Sequence, residues 1–261
     1  HVVALGVPRP LTREERDGDP LAAIEALGGQ AVLAHPLHPR RPFRGWDEGG
    51  PWRGMEVVSN DTSWGRVVAD RDVRRIVVAA LELPWDGPRA VLTLGDDPAD
   101  ELVRFDAEVR EARRWGEHRP AARALFCSHD AHGYPSYRAA FEAFSMHVPV
   151  APTGEDARDA EAVSAALLDG LAACVFDGIA PASGIRLAAG RDGLELAARG
   201  AALPRARWTV TRDGVPQPVE VTVSDGGVRL TCAGGCAPGD YRVEGRLDGR
   251  AWIFTNPVRI E

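Results

Sequence analysis

The sequence predicts an α/β region up to about residue 183 and a small all-β, sandwich-like region over 184–261. Three observations predict it. Short apolar runs alternate with amphipathic stretches in the first part, which is the grammar of βα units. The amphipathic stretches open on recognisable start signals. Beyond Ser183 the three- and four-residue periodicity gives way to short alternating runs divided by Gly-containing turns.

Taken in order, His1-Val2-Val3-Ala4-Leu5-Gly6 is strand-like from its first residue. Asp19-Pro20 is an N-cap followed by proline at the first helical position, where a missing N–H costs nothing. Leu21, Ile24 and Leu27 keep helical spacing until Gly28-Gly29 ends the helix, and Ala31–Ala34 follows as a buried strand running into His35-Pro36. The same pattern returns at Asp97-Pro98, with Leu102, Phe105, Val109 and Ala112 leading to a strand over Ala124–Ser128. Thr153, with Asp156 three residues on, reads as a capping-box variant. It opens a helix carrying Val163, Leu167 and Leu171 toward the strand-like Cys174-Val175-Phe176. In the second part Trp208–Thr211, Val219–Val223, Val228–Cys232 and Tyr241–Val243 are the strands. Asp213-Gly214, Asp225-Gly226, Pro238-Gly239 and Asp248-Gly249 are the turns, and the break between the parts falls at Ala180–Gly184.

With 261 residues, 44% of them hydrophobic, the chain can bury a substantial core. A net charge of −7 with interspersed signs disfavours nucleic acid or an anionic membrane as the main partner, and no apolar run reaches membrane-spanning length. Beginning at His1 without an initiator Met or a signal-like apolar region, the chain reads as a fragment or processed product. Four cysteines are too few for a disulfide framework. Cys127 and Cys174 lie in apolar runs and read as small buried core residues. Cys232 and Cys236, separated by Ala-Gly-Gly, fit a small disulfide across a turn in an oxidising compartment. That reading is favoured over half of a zinc site lacking its second pair, and free thiols stay open.

Potential metal ligands sit at the ends of three strand-like runs. His1 opens the first, His35 closes the second, and Asp130 with His132 follows the third in Ser128-His129-Asp130-Ala131-His132-Gly133. Imidazoles and carboxylates suit Zn, Mn or Fe, and strand ends of a βα fold bring distant residues together. Arg40, Arg41, Arg44 and His38 follow His35 closely and can place cationic groups near a substrate phosphate. His129 is expected to point away from the site, and His118 and His147 read as structural or surface residues. Trp46, Trp52 and Trp64 read as packing residues in Gly/Pro-rich loops.

Ala34-His35-Pro36, then Gly54-Met55-Glu56-Val57-Val58-Ser59-Asn60, then Ser128-His129-Asp130-Ala131-His132-Gly133 resemble the successive motifs of the PHP (polymerase and histidinol phosphatase) family of metal-dependent phosphoesterases. The opening His1–Gly6 resembles that family's strand beginning with a metal-binding His. Ala251-Trp252-Ile253-Phe254-Thr255-Asn256-Pro257-Val258 resembles the end of a β-domain appended to some members. The resemblance implies a partial, distorted (β/α)7 PHP-type barrel over 1–183 and a β-sandwich-like domain over 184–261. It implies phosphate ester hydrolysis with two or three divalent metals. His1 and His35 would hold one metal, Asp130 another, and His132 a third or bridging position. Glu56 would lie at a neighbouring strand end and support the ligands rather than be one.

The family begins with a His-x-His pair, a further His/Asp set and a bridging Glu, none of which precedes His1 here. A preceding segment or another chain is therefore expected to complete the site. The expected substrate is a small phosphorylated molecule, and a periplasmic or secreted location is favoured over a cytoplasmic one. Two other classes remain open. One is a non-catalytic binding or scaffold module; the other is a metal-dependent hydrolase of amide or cyclic bonds.

Overall fold

The computed structural model describes residues 1–46, 50–117, 121–133, 136–190 and 192–261, so that His118 lies outside the described residues. The chain is mixed α/β. Its first sheet has the order β1 (Val2–Leu5), β2 (Gln30–Leu33), β3 (Trp52–Ser59) and β4 (Ala124–Ser128). β2, β3 and β4 are parallel, whereas β1 runs antiparallel to β2. All of β3 is buried, as expected of a strand covered on both faces.

Eight α-helices occur among the described residues. α1 (Arg13–Asp17) and α2 (Pro20–Ala26) join β1 to β2. α3 (Asn60–Ala69), α4 (Val73–Glu82), α5 (Gly87–Leu94) and α6 (Ala99–Arg114) join β3 to β4. α7 (Tyr137–Ala143) and α8 (Asp156–Leu168) follow β4. None is long and apolar enough to cross a membrane. Asp19 caps α2 by accepting from Leu21 and Ala22 N–H, with Pro20 at the first position. Asp97 does not cap α6, because its carboxylate is taken by Arg246. Nor does Thr153 open α8: the helix starts at Asp156, and Asp159 reaches back to the Thr153 N–H and hydroxyl. Trp52 and Trp64 are not loop residues but belong to β3 and α3.

The second sheet is antiparallel, ordered β10 (Val215–Gln217), β9 (Arg207–Arg212), β13 (Gly239–Leu247), β14 (Arg250–Thr255), β6 (Ala173–Val175) and β5 (Ser145–His147), with β15 (Val258–Ile260) also on β13. The third is ordered β11 (Val219–Ser224), β12 (Gly227–Cys232), β8 (Gly193–Arg199) and β7 (Ser183–Ala189). Inward residues of both, among them Leu194, Leu196, Leu230, Val210, Val243 and Trp252, join one core with those of the first sheet. The hairpins at Asp213-Gly214 and Asp248-Gly249 have positive φ at both positions, the conformation that Asp-Gly favours because it matches strand twist.

Two features go beyond the expectations. First, the βα pattern forms, among the described residues, an open four-stranded sheet in which β2, β3 and β4 are parallel. β6 leaves that sheet and pairs with β14 and β5. A short, continuous apolar run does not reveal its partner, and here the buried faces of Ile253 and Phe254 claim it. The second sheet therefore draws strands from both sides of residue 183. Second, Cys127 and Cys174 are buried as expected but bonded to each other, which clips β4 to β6. Cys232 and Cys236 form the other disulfide.

α6 holds the sheets together. Leu102, Phe105, Val109 and Ala112 are buried on one side. From the same helix the Asp106 carboxylate accepts two bonds from the buried Arg242 of β13, at 2.7 and 3.0 Å. Arg113 pairs with Asp240 at 2.7 Å, and Arg110 donates to the Asp213 carbonyl, also at 2.7 Å.

Candidate metal centre

Three parallel strands end on one edge of the first sheet, and the antiparallel β1 begins there, opposite the end of β2. This sheet geometry brings His1 and His35 together across 34 positions of sequence: His1 Nδ1 and His35 Nε2 lie 2.8 Å apart. Asp130 follows β4, and Asp61 sits in the first turn of α3, just after β3. Ligand atoms of His35, Asp61 and Asp130 all lie within 4.8 Å of one another. That is a span one ion can bridge with small side-chain adjustments.

The backbone is unusual at two of these residues. His35 and Asp130 have φ of +34° and +45°, a left-handed region that costs a non-glycine residue free energy and clusters at functional sites. At His35 the turn is held by Glu56. Its buried carboxylate accepts from the His35 N–H and from the Ser128 hydroxyl, each at 2.6 Å. Glu56 thus ties the end of β2 at His35 to the end of β4 at Ser128. Burial pushes its carboxyl above the ordinary carboxylate range.

His38 enters from the loop after β2. Its Nδ1 accepts from Arg40 and Arg41 N–H, which leaves the proton on Nε2, 3.4 Å from Asp61. Gly65 permits this approach, since a Cβ there would come within 2.9 Å of His38 Nε2. Arg41 also pairs with Asp61, at 2.9 Å, while the side chains of Arg40 and Arg44 are exposed and neither contacts His35, Asp61 or Asp130 among the described residues. His132 does not join the group with His35. It touches Asp130 at 3.2 Å and is otherwise largely exposed. His129 points elsewhere, between the Asn60 side chain and the Phe144 carbonyl, and stacks on the Phe144 ring. His147 is pinned to Asp177 at 3.0 Å, a structural contact beside Ser145.

Asp61 was not singled out by sequence. The only signal is that it follows the motif ending in Asn60, and an acidic residue in a helix's first turn is too common to mark a ligand.

The donor set fits a divalent ion. The buried His35 Nδ1 has no hydrogen-bond partner among the described residues, and Asp61 stands 4.0 Å from it. Burial, joined by the neighbouring N-terminal ammonium, holds the His35 imidazole below its ordinary pKa and hence in the neutral, ligating form. Burial likewise lowers His38 and His129. Unfolded, each of these histidines titrates near about 6.5. As pH falls below that value the unfolded chain binds protons that the folded chain refuses, and stability drops until the folded pKa values are reached. Glu56 acts in the opposite direction, because its buried charge is relieved at lower pH. In chelator, the thermal midpoint is therefore expected to fall between about pH 7 and 5.5, and less steeply in His129→Gln. An equally steep profile in His129→Gln and the parent would contradict the burial of the His129 imidazole. No family model, curated protein or solved structure matches the chain.

Proposed function

We propose that this chain carries part of the metal centre of a phosphoesterase of the PHP type, its open sheet being the corresponding part of a distorted barrel. The supporting observation is the convergence of His35, Asp61 and Asp130 within 4.8 Å at the ends of strands distant in sequence. The resemblance of the three successive motifs to the PHP family points the same way. His1, beside His35, is the next ligand, and His132 reaches the site through Asp130. A divalent ion supplies Lewis-acid chemistry there: an acidified water and charge neutralisation at a phosphoryl group. His35 contributes a neutral imidazole held ready by burial, and the two carboxylates contribute charge. Arg41 sets a guanidinium at the rim, where it can receive a phosphate oxygen. The remaining ligands of a two- or three-metal set come, in this reading, from a segment or chain outside these 261 residues. Two disulfides accord with a periplasmic or secreted location.

The test is metal content after incubation with Mn2+ or Zn2+ and gel filtration, followed by hydrolysis of p-nitrophenyl phosphate. At least one tightly held ion per chain is expected, with loss in His35→Ala and Asp130→Ala while both stay folded. Metal binding unaffected by either substitution would refute the site. Bound metal with hydrolysis of amides but not phosphate esters would overturn the substrate class.

A further inference from the structure

β4 carries Asp130 beyond its end, yet it is an edge strand of the first sheet. Its inner edge pairs with β3; on the other edge the N–H and C=O of Leu125 and the N–H of Cys127 bond to side chains. An unpaired buried edge is costly, and it leaves the strand free to shift. One side chain meets most of this need. Asn256, just after β14, accepts from the Leu125 N–H at 2.6 Å and donates to the Leu125 carbonyl at 3.3 Å. Its amide also donates to the Ala172 carbonyl, immediately before β6, at 2.8 Å. The carboxamide reproduces on Leu125 the donor–acceptor pair that a neighbouring strand presents, and it anchors that pair to the second sheet. Asn256 is buried, with only 2% exposure. The Cys127 N–H turns to the Met146 Sδ of β5 at 3.3 Å, and the Cys127–Cys174 disulfide closes the same edge.

We propose that Asn256 is a positioning residue for the metal centre: its side chain substitutes for a strand on the outer edge of β4 and thereby fixes Asp130. The proposal rests on the metal-centre reading above. It makes the C-terminal sheet part of the site's scaffold rather than an independent appendage. Asp130 needs such fixing because its left-handed backbone persists only where the surroundings hold it.

The neighbouring Thr255 supplies the control. It is equally buried and bonds to the Val243 N–H and carbonyl within the second sheet, with no bond to β4. Asn256→Ala and Thr255→Val are compared in the full chain by calorimetric titration with Mn2+ and by hydrogen exchange of the segment 124–130. Where the alanine variant does not fold, Asn256→Asp keeps the acceptor for Leu125 N–H while losing both donated bonds.

Asn256→Ala is expected to weaken Mn2+ binding at least about tenfold, the usual effect of losing a group that orients a ligand. It is also expected to speed exchange in 124–130 by about tenfold or more. Thr255→Val should lower thermal stability and change neither readout. Unchanged exchange in Asn256→Ala would overturn the edge substitution. Faster exchange with Mn2+ affinity within about twofold of the parent would overturn the positioning role, as would equal losses in both variants. A parent chain that takes up no Mn2+ would instead bring down the metal-centre reading, and the positioning role with it.

Discussion

Replacing Arg242 by alanine is expected to cost about 3–5 kcal/mol, the scale of stripping one partner from a buried ion pair. Arg242 is 2% exposed, and its guanidinium serves Asp106 of α6 through two bonds and Glu244 of its own strand through a third, at 2.7 Å. Alanine leaves the buried Asp106 carboxylate without its main partner, and desolvation makes that loss large. Guanidinium chloride unfolding gives the measurement, with the midpoint expected to fall at nearly constant slope. The double variant Asp106→Leu with Arg242→Met is expected to recover part of the loss, because it removes the Asp106 charge and keeps apolar volume while Glu244 still loses its Arg242 partner. A cost below about 1 kcal/mol for Arg242→Ala would mean that water reaches Asp106 and that apolar packing and the Arg113–Asp240 pair suffice to hold α6 to β13.

Replacing Glu56 by alanine is expected to weaken metal binding by about 10–100-fold and to cost about 1–3 kcal/mol of stability. The carboxylate touches no ligand side chain among the bonds described. It acts through the His35 N–H and the Ser128 hydroxyl. Without it the His35 N–H is buried and unsatisfied, and the left-handed turn at His35 loses its anchor. Glu56→Gln should be far milder, within a few-fold. The Gln carbonyl can still accept from His35 N–H, and the Ser128 hydroxyl can reverse to accept from the new amide. Calorimetric metal titration of the three proteins separates these cases. Equal loss in both variants would make Glu56 a ligand through its charge; no loss in either would remove it from the site's support.

Much of this was legible in the sequence, and for local reasons. Asp19-Pro20 starts a helix because the cap and the fixed φ act within three residues, and Asp-Gly makes hairpins because only a few residues accept positive φ twice in a row. Ala31–Ala34 and Ala124–Ser128 read as buried strands because continuous apolar runs of that length have few other uses in such a context. His35, Asp130 and His132 stand out in the sequence because they follow those runs, and His1 because it opens the strand-like Val2–Leu5.

Pairing and direction were settled only by tertiary structure. Nothing in Val2–Leu5 says that it runs antiparallel to its neighbour, yet that direction puts His1 against His35. Nothing in Ala173–Val175 says that it belongs with β14, or that Cys174 faces Cys127. Asp97 looked like a cap until Arg246, 149 residues away, took its carboxylate. Asp61 enters the site, and His132 stays at its rim, through the placement of one helix and one loop. Caps, turns and burial patterns depend on neighbours in the chain, so the sequence by itself determined them. Strand partners, long-range ion pairs and the convergence of ligands depend on which buried faces and polar groups meet in space, and only the assembled fold decided those.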